Sequence, residues 1–186
     1  MHFYIHLYHL TQMNTTMTDP ATLGIGLLVA RLALGLLMAA HGSQKLLGWF
    51  GGHGLAGTAG FFDSIGFRPG RLFATVAAST EIGSGILMAL GFLGPLGPAL
   101  MLSVMIVAAV SMHWKNGLFA MNNGIEVPLL YAIGAFGLLF TGPGEYSLDA
   151  VLGLGFLSTP LIKLGALVVA VAGGVMNLMA RRPVTA

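Results

Sequence analysis

Five apolar runs, Leu23 to Leu47, Leu72 to Leu93, Pro95 to Met112, Val127 to Phe140 and Leu161 to Ala180, dominate the sequence. Within them only Arg31, Lys45, Glu81 and Lys163 carry a charge. A helix needs roughly 20 apolar residues to cross a bilayer, so five crossings fit, the fourth being short. Composition agrees: 8 Lys+Arg and 6 Asp+Glu stand against 56% hydrophobic residues, too few charges to coat a water-facing surface, where about a quarter is usual. The runs show no alternation of period two, which argues against a transmembrane barrel. The expected fold class is an all-α membrane protein. Laying Leu161 to Ala180 in the interface would leave four crossings, but a single lysine in its first turn favours insertion.

Placement of the basic residues sets an orientation. In the five-crossing arrangement Lys45, Arg68, Arg71, Lys115, Arg181 and Arg182 share one side, with Lys163 alone on the other. Because Lys and Arg in short loops resist translocation, that side is expected to be cytoplasmic and the amino terminus outside. The loop section "LAGTAGFFDSIGF" and, on the opposite face, "GPGEYSLDAVLGLGFLSTP" are each long enough to lie along the interface as short amphipathic segments. Residues 1–22 differ from the rest and lack the basic and apolar regions of a secretory signal, as a disordered tail or an unused upstream start would. His2, His6 and His9 there lack a scaffold on which to hold a metal. There is no cysteine, which rules out disulfides and thiolate-held metals in this chain, and a net charge of +2 is too thin for nucleic acid.

Charges inside the runs are costly and therefore informative. Arg31 and Glu81 reach similar depth when counted from the ends of their spans, and each lies in a row of small residues: Arg31, Gly35 and Ala39, and Ala77, Glu81, Gly85 and Ala89. They are expected to form an intramembrane ion pair, serving either helix register or the handling of a proton or ligand. A second constellation gathers where the first run ends. His41 and Lys45 are one helical turn apart, and in the same topology His113, Trp114, Asn116 and Glu126 reach that end from the third and fourth runs. With Trp49 and His53 they form an expected ligand-binding rim suited to a quinone headgroup or another small planar or anionic compound. His41, Lys45 and His113 are its candidate chemical groups. The plainer reading makes Trp49, Trp114 and Lys115 interfacial anchors. No metal site is assigned, since His41, His113 and Glu126 lack short ligand spacing, and no phosphate loop, dinucleotide fingerprint or nucleophile elbow is present.

Four stretches, "RLALGLLMAAHGSQKLLGWFGGHGLAGTAGFF", "EIGSGILMALGFLGPLGPALML", "HWKNGLF" and "GPGEYSLDAVLG", together resemble the DoxX family of small bacterial membrane proteins over roughly residues 23–153. The resemblance implies a four-helix transmembrane bundle in the bacterial cytoplasmic (inner) membrane. On that basis residues 154–180 are an additional carboxy-terminal helix, the fifth crossing, and 181–186 a basic tail. It also implies service as a membrane subunit of a redox complex, linked to quinone. The expected partners are the lipid bilayer, a soluble oxidoreductase and further copies of the chain. The family pattern singles out Arg31, His41, Gly42, Lys45, Glu81, His113, Trp114, Asn116 and Gly117. Two rival classes stand beside this one: a binding or proton-coupled transport protein, and a non-catalytic anchor for a soluble oxidoreductase.

Overall fold

A computed structural model describes residues 19–183; the histidines at positions 2, 6 and 9 lie outside the described residues. Helix α1, Pro20–Leu47, starts three residues before the first apolar run, on a proline whose missing N–H is no loss in a first turn. It ends at Gly48, whose φ of 74° is left-handed and open to glycine without strain. Helix α2, Gly54–Ser64, follows, then α3, Gly70–Leu90. Helix α4, Leu96–Ala108, runs on through a wide π turn at Ala109–His113 and a tight turn at Trp114–Asn116. Helices α5, Glu126–Thr141, α6, Leu148–Val151, and α7, Pro160–Met179, complete the order. Among the described residues there is no strand.

Four helical segments are long and apolar enough to cross a membrane: α1, α3, Leu96–Asn116 and α7. The fourth apolar run becomes α5, whose 16 residues span about 24 Å at 1.5 Å per residue, short of a full hydrocarbon core. The surface confirms the setting. Leu36 and Leu37 on α1, Ile133 and Phe136 on α5, and Val168 and Val169 on α7 are all exposed. Such apolar faces suit lipid and not water.

Helices α1 and α3 run antiparallel with their backbones almost touching at Gly35 and Gly85. A Cβ on Gly35 would stand 2.5 Å from the Gly85 carbonyl oxygen. Helix α7 packs along α4, where Gly174 faces Ser103 and Ile106, and it anchors at both ends. The Lys163 ammonium donates to the Phe140 carbonyl at 2.7 Å, and Arg181 Nε to the Ile65 carbonyl at 2.6 Å. The main core joins α1, α3, α4, α5 and α7 and is rich in methionine, with Met38, Met88, Met101 and Met105 buried among Leu102, Tyr131 and Leu139. A second, aromatic core of Phe62, Phe67 and Ala74 lies under α2.

The two connecting sections behave differently. Residues 54–64 do form a helix, packed on α3 with Thr58 and Phe62 buried. On the opposite face the expected interfacial segment shrinks to the four-residue α6 and a 3₁₀ turn at Gly155–Ser158. It is instead held at Asp149, whose N–H donates to the Gly91 carbonyl at 3.1 Å and whose carboxylate accepts from the turn between α3 and α4. The helix directions bring the chain near Lys45, Arg68, Arg71, Lys115, Arg181 and Arg182 to one end of the bundle. By the rule that basic residues stay inside, a reporter fused after Ala186 is expected to be cytoplasmic. Periplasmic activity from such a fusion would reverse the orientation.

Candidate ligand-binding cavity

Toward the basic end, α1, α2, α3, α4 and the end of α7 line a half-open cavity of about 530 Å³, within the usual range for small-molecule sites. One wall is aromatic. Phe61, Phe62, Phe67 and Phe73 line it and form a chain of ring contacts, with Phe62 to Phe67 at 5.7 Å and Phe67 to Phe73 at 5.3 Å between centroids. Val104, Val107 and Ala108 of α4 and Met112 of the π turn also line it, Val107 packing against the phenylalanine cluster. Such turns recur at functional sites because they rotate side chains out of the regular helical register.

The polar groups come from five helices and the loop after α1, with Gln44, His53, Thr58 and Ser111 among them. Lys45 and Glu81 line the cavity and form an ion pair with each other. Lys45 is 30% exposed and Glu81 only 1%, so the lysine reaches inward from a partly open position near the end of α1 to an enclosed carboxylate. One oxygen, Oε1, is taken by Lys45 and the other, Oε2, is buried without a hydrogen-bond partner among the described residues. Thr80, Ser103 and Asn177 also face the cavity.

Glu81 is therefore paired, but not with the expected residue. The Gly35–Gly85 and Gly42–Ala78 contacts set the α1–α3 register. They put Glu81 level with Ala39 to Gly42 and leave Arg31 about 15 Å away along the helix at 1.5 Å per residue. Counting depth from span ends missed this, because close approach of small residues, not the span ends, fixes how two helices slide.

Arg31 has another role, at the far end of the bundle. It is 2% exposed and its Nη2 donates to the Tyr146 carbonyl. Its guanidinium occupies the space a side chain on Gly91 would need, and Gly91 also has a left-handed φ of 62°. Asp149, 3% exposed, accepts from the backbone N–H groups of Leu93 at 2.9 Å and Gly94 at 2.6 Å, and Ser147 caps α6 by accepting from the Ala150 N–H. The "YSLD" element thus latches α6 onto the α3–α4 turn. Two hydrogen bonds to one charged acceptor are worth about 3 kcal/mol or more together. Asp149→Ala is expected to lower stability in detergent by about that much, and Asp149→Asn, which keeps one acceptor oxygen, by about half. Equal melting of Asp149→Ala and the parent would show that the latch carries no stability.

Of the expected rim, Lys45 and His53 line the cavity and the other six residues do not. His41 is exposed and meets Tyr131 edge to face at 5.8 Å. His113 Nδ1 is 2.7 Å from the Asn123 carbonyl, to which Asn116 also donates at 3.1 Å, while Glu126 accepts from the Ala120 N–H at 2.7 Å. These three groups order the loop between α4 and α5. Trp49 and Trp114 are 59% and 67% exposed, as interfacial anchors are. Sequence reasoning missed the phenylalanine wall, Thr80, Ser103, Asn177 and Asp149. Asn177 had a detectable signal, since it is the one uncharged polar residue between Leu161 and Ala180. Among the described residues no group of three or more His, Asp or Glu is placed to hold a metal ion.

The fold and its apolar surface define a multi-pass helical membrane protein. Residues 26–114, from α1 to the end of α4, match the family model DoxX. Arg31, Lys45, Glu81, His113 and Trp114 fall inside the match; Asp149 and Asn177 fall outside it. No curated protein and no solved structure matches the chain.

Proposed function

We propose that the protein binds a quinone-type amphipathic molecule within the bacterial cytoplasmic membrane, as the membrane subunit of a redox assembly. The observation that carries this reading is the cavity itself: a phenylalanine wall for a flat ring, lined also by the Lys45–Glu81 pair, whose partly exposed ammonium can donate to a ring carbonyl. Its position toward the basic end, expected to face the cytoplasm, would let a soluble oxidoreductase exchange electrons with the bound ring. A carrier for a small organic anion fits less well, because an anion would meet the Glu81 carboxylate. A pure anchor would need no such cavity.

Protein in lipid nanodiscs is expected to bind a short-chain ubiquinone analogue saturably in equilibrium dialysis, above the partitioning into empty discs. Ala77→Phe, which puts a ring into the cavity, is expected to weaken binding at least tenfold while the protein still inserts. Uptake no greater than that of empty discs would overturn the reading.

A further inference from the structure

The polar side chains that line the cavity fall into two sets. On the side of α1 and α2 they are already engaged: Gln44 Nε2 donates to the Phe50 carbonyl, the Thr58 hydroxyl to the Lys45 carbonyl, and Lys45 to Glu81. Thr80 on α3, Ser103 on α4 and Asn177 on α7 have no hydrogen-bond partner for their side chains among the described residues. The contrast with other helical hydroxyls is plain, since Ser43, Thr75, Ser111 and Thr141 each donate to the carbonyl one turn back. Among the described residues, the unpartnered atoms that are fully enclosed belong to Arg31 and Glu81. The two hydroxyls and the amide are therefore accessible from the space they line.

Packing brings two of them together. Ser103 Oγ lies 3.3 Å from where a Cβ on Gly173 would stand, and Asn177 is one turn further along the same face of α7. Helical side chains lean toward the amino terminus of their helix, which tilts the Asn177 amide back toward Ser103. Thr80 shares the lined face of α3 with Phe73 and Ala77, so it borders the aromatic wall. A ring oxygen placed among apolar walls is costly unless it finds a hydrogen bond. Threonine, serine and asparagine each donate and accept without carrying charge, so such groups take carbonyl and hydroxyl oxygens alike.

Resting on the proposed reading of this cavity, we infer that Thr80, Ser103 and Asn177 form a neutral polar subsite that holds the ring oxygens of the quinone-type ligand. Asn177 is thereby a specificity-determining residue, and α7, which lies outside the DoxX match, is part of the binding site and not only a further crossing.

The test uses the full chain in nanodiscs and two probes of the same shape: tetramethylquinone, and hexamethylbenzene, which carries methyl groups in place of the ring oxygens. Uptake is read above that of empty discs, and the parent is expected to bind the quinone about tenfold tighter or more. Asn177→Leu deletes the amide at similar size and keeps α7 apolar, so the protein still inserts. It is expected to weaken quinone binding about five- to tenfold, the scale of a lost hydrogen bond, and to leave hexamethylbenzene binding as it was. Thr80→Val and Ser103→Ala are expected to act alike, by about threefold each. Unchanged quinone binding in Asn177→Leu, or in both hydroxyl variants, overturns the inference while leaving quinone binding in place. Equal binding of the two probes by the parent does the same, as does loss of both probes in Asn177→Leu, which would assign the amide to packing. A parent that takes up neither probe removes the inference together with the reading on which it rests.

Discussion

Lys45→Met is expected to be among the most damaging single substitutions in the protein, costing about 3 to 5 kcal/mol, the range for breaking a buried ion pair. The reason lies in the exposure of the two partners. Glu81 is 1% exposed, so removing its cation strands a carboxylate that cannot reach water. Glu81→Gln should cost less, because Lys45 is 30% exposed and its flexible stem can carry the ammonium to the interface. Combining the two changes removes both charges and is expected to recover most of the loss, since a neutral replacement of a buried pair is often nearly as stable as the pair. Thermal unfolding of the four proteins in one detergent measures all three terms of the cycle. A Glu81→Gln variant less stable than Lys45→Met would contradict the asymmetry, and additive losses would contradict the pair.

A comparable loss is expected at the α1–α3 crossing from a single methyl group. Gly35→Ala brings a Cβ to 2.5 Å from the Gly85 carbonyl oxygen and 2.7 Å from the Ala89 nitrogen, distances that real Cβ contacts do not reach. Backbone atoms cannot swing aside, so the helices must separate, and about 2 to 3 kcal/mol of packing is lost, as for other overpacked seams. Gly85→Ala meets Gly35 and Ala39 in the same way from the other side and is expected to act alike. Gly83 is the control, two residues away on α3 with nothing within 4 Å of an added Cβ. There alanine should be neutral or should stabilise by about 0.5 to 1 kcal/mol through helix propensity. Uniform effects at all three positions would show that propensity, and not the close approach, governs these glycines.

The contact at Gly35 and Gly85 also marks where sequence reasoning reached its limit. It recognised both glycines as packing residues and both charges as buried, because small residues and stray charges in an apolar run are local features. It paired Arg31 with Glu81 because equal depth was the only measure at hand. The register that hands Glu81 to Lys45, and Arg31 to the carbonyl of Tyr146, depends on which backbones meet. Likewise the histidines, tryptophans and Glu126 near the basic end were visible as polar groups at helix ends. Whether they faced a shared cavity, a loop carbonyl or lipid was set by helix rotation and by the π turn before Trp114.

What the sequence by itself determined is the membrane setting, the helical class, the apolar segments and the grouping of basic residues at one end. Each follows from hydropathy and charge summed over neighbouring residues, and a bilayer leaves a chain of that composition few options. The tertiary structure alone decided the partners. The cavity draws its phenylalanines from α2, α3 and the turn between them, its ion pair from α1 and α3, and Asn177 from α7. Residues so far apart in the chain converge only through antiparallel packing. A shift of one helical turn in any of these helices would pair different groups while leaving every local pattern in the sequence unchanged.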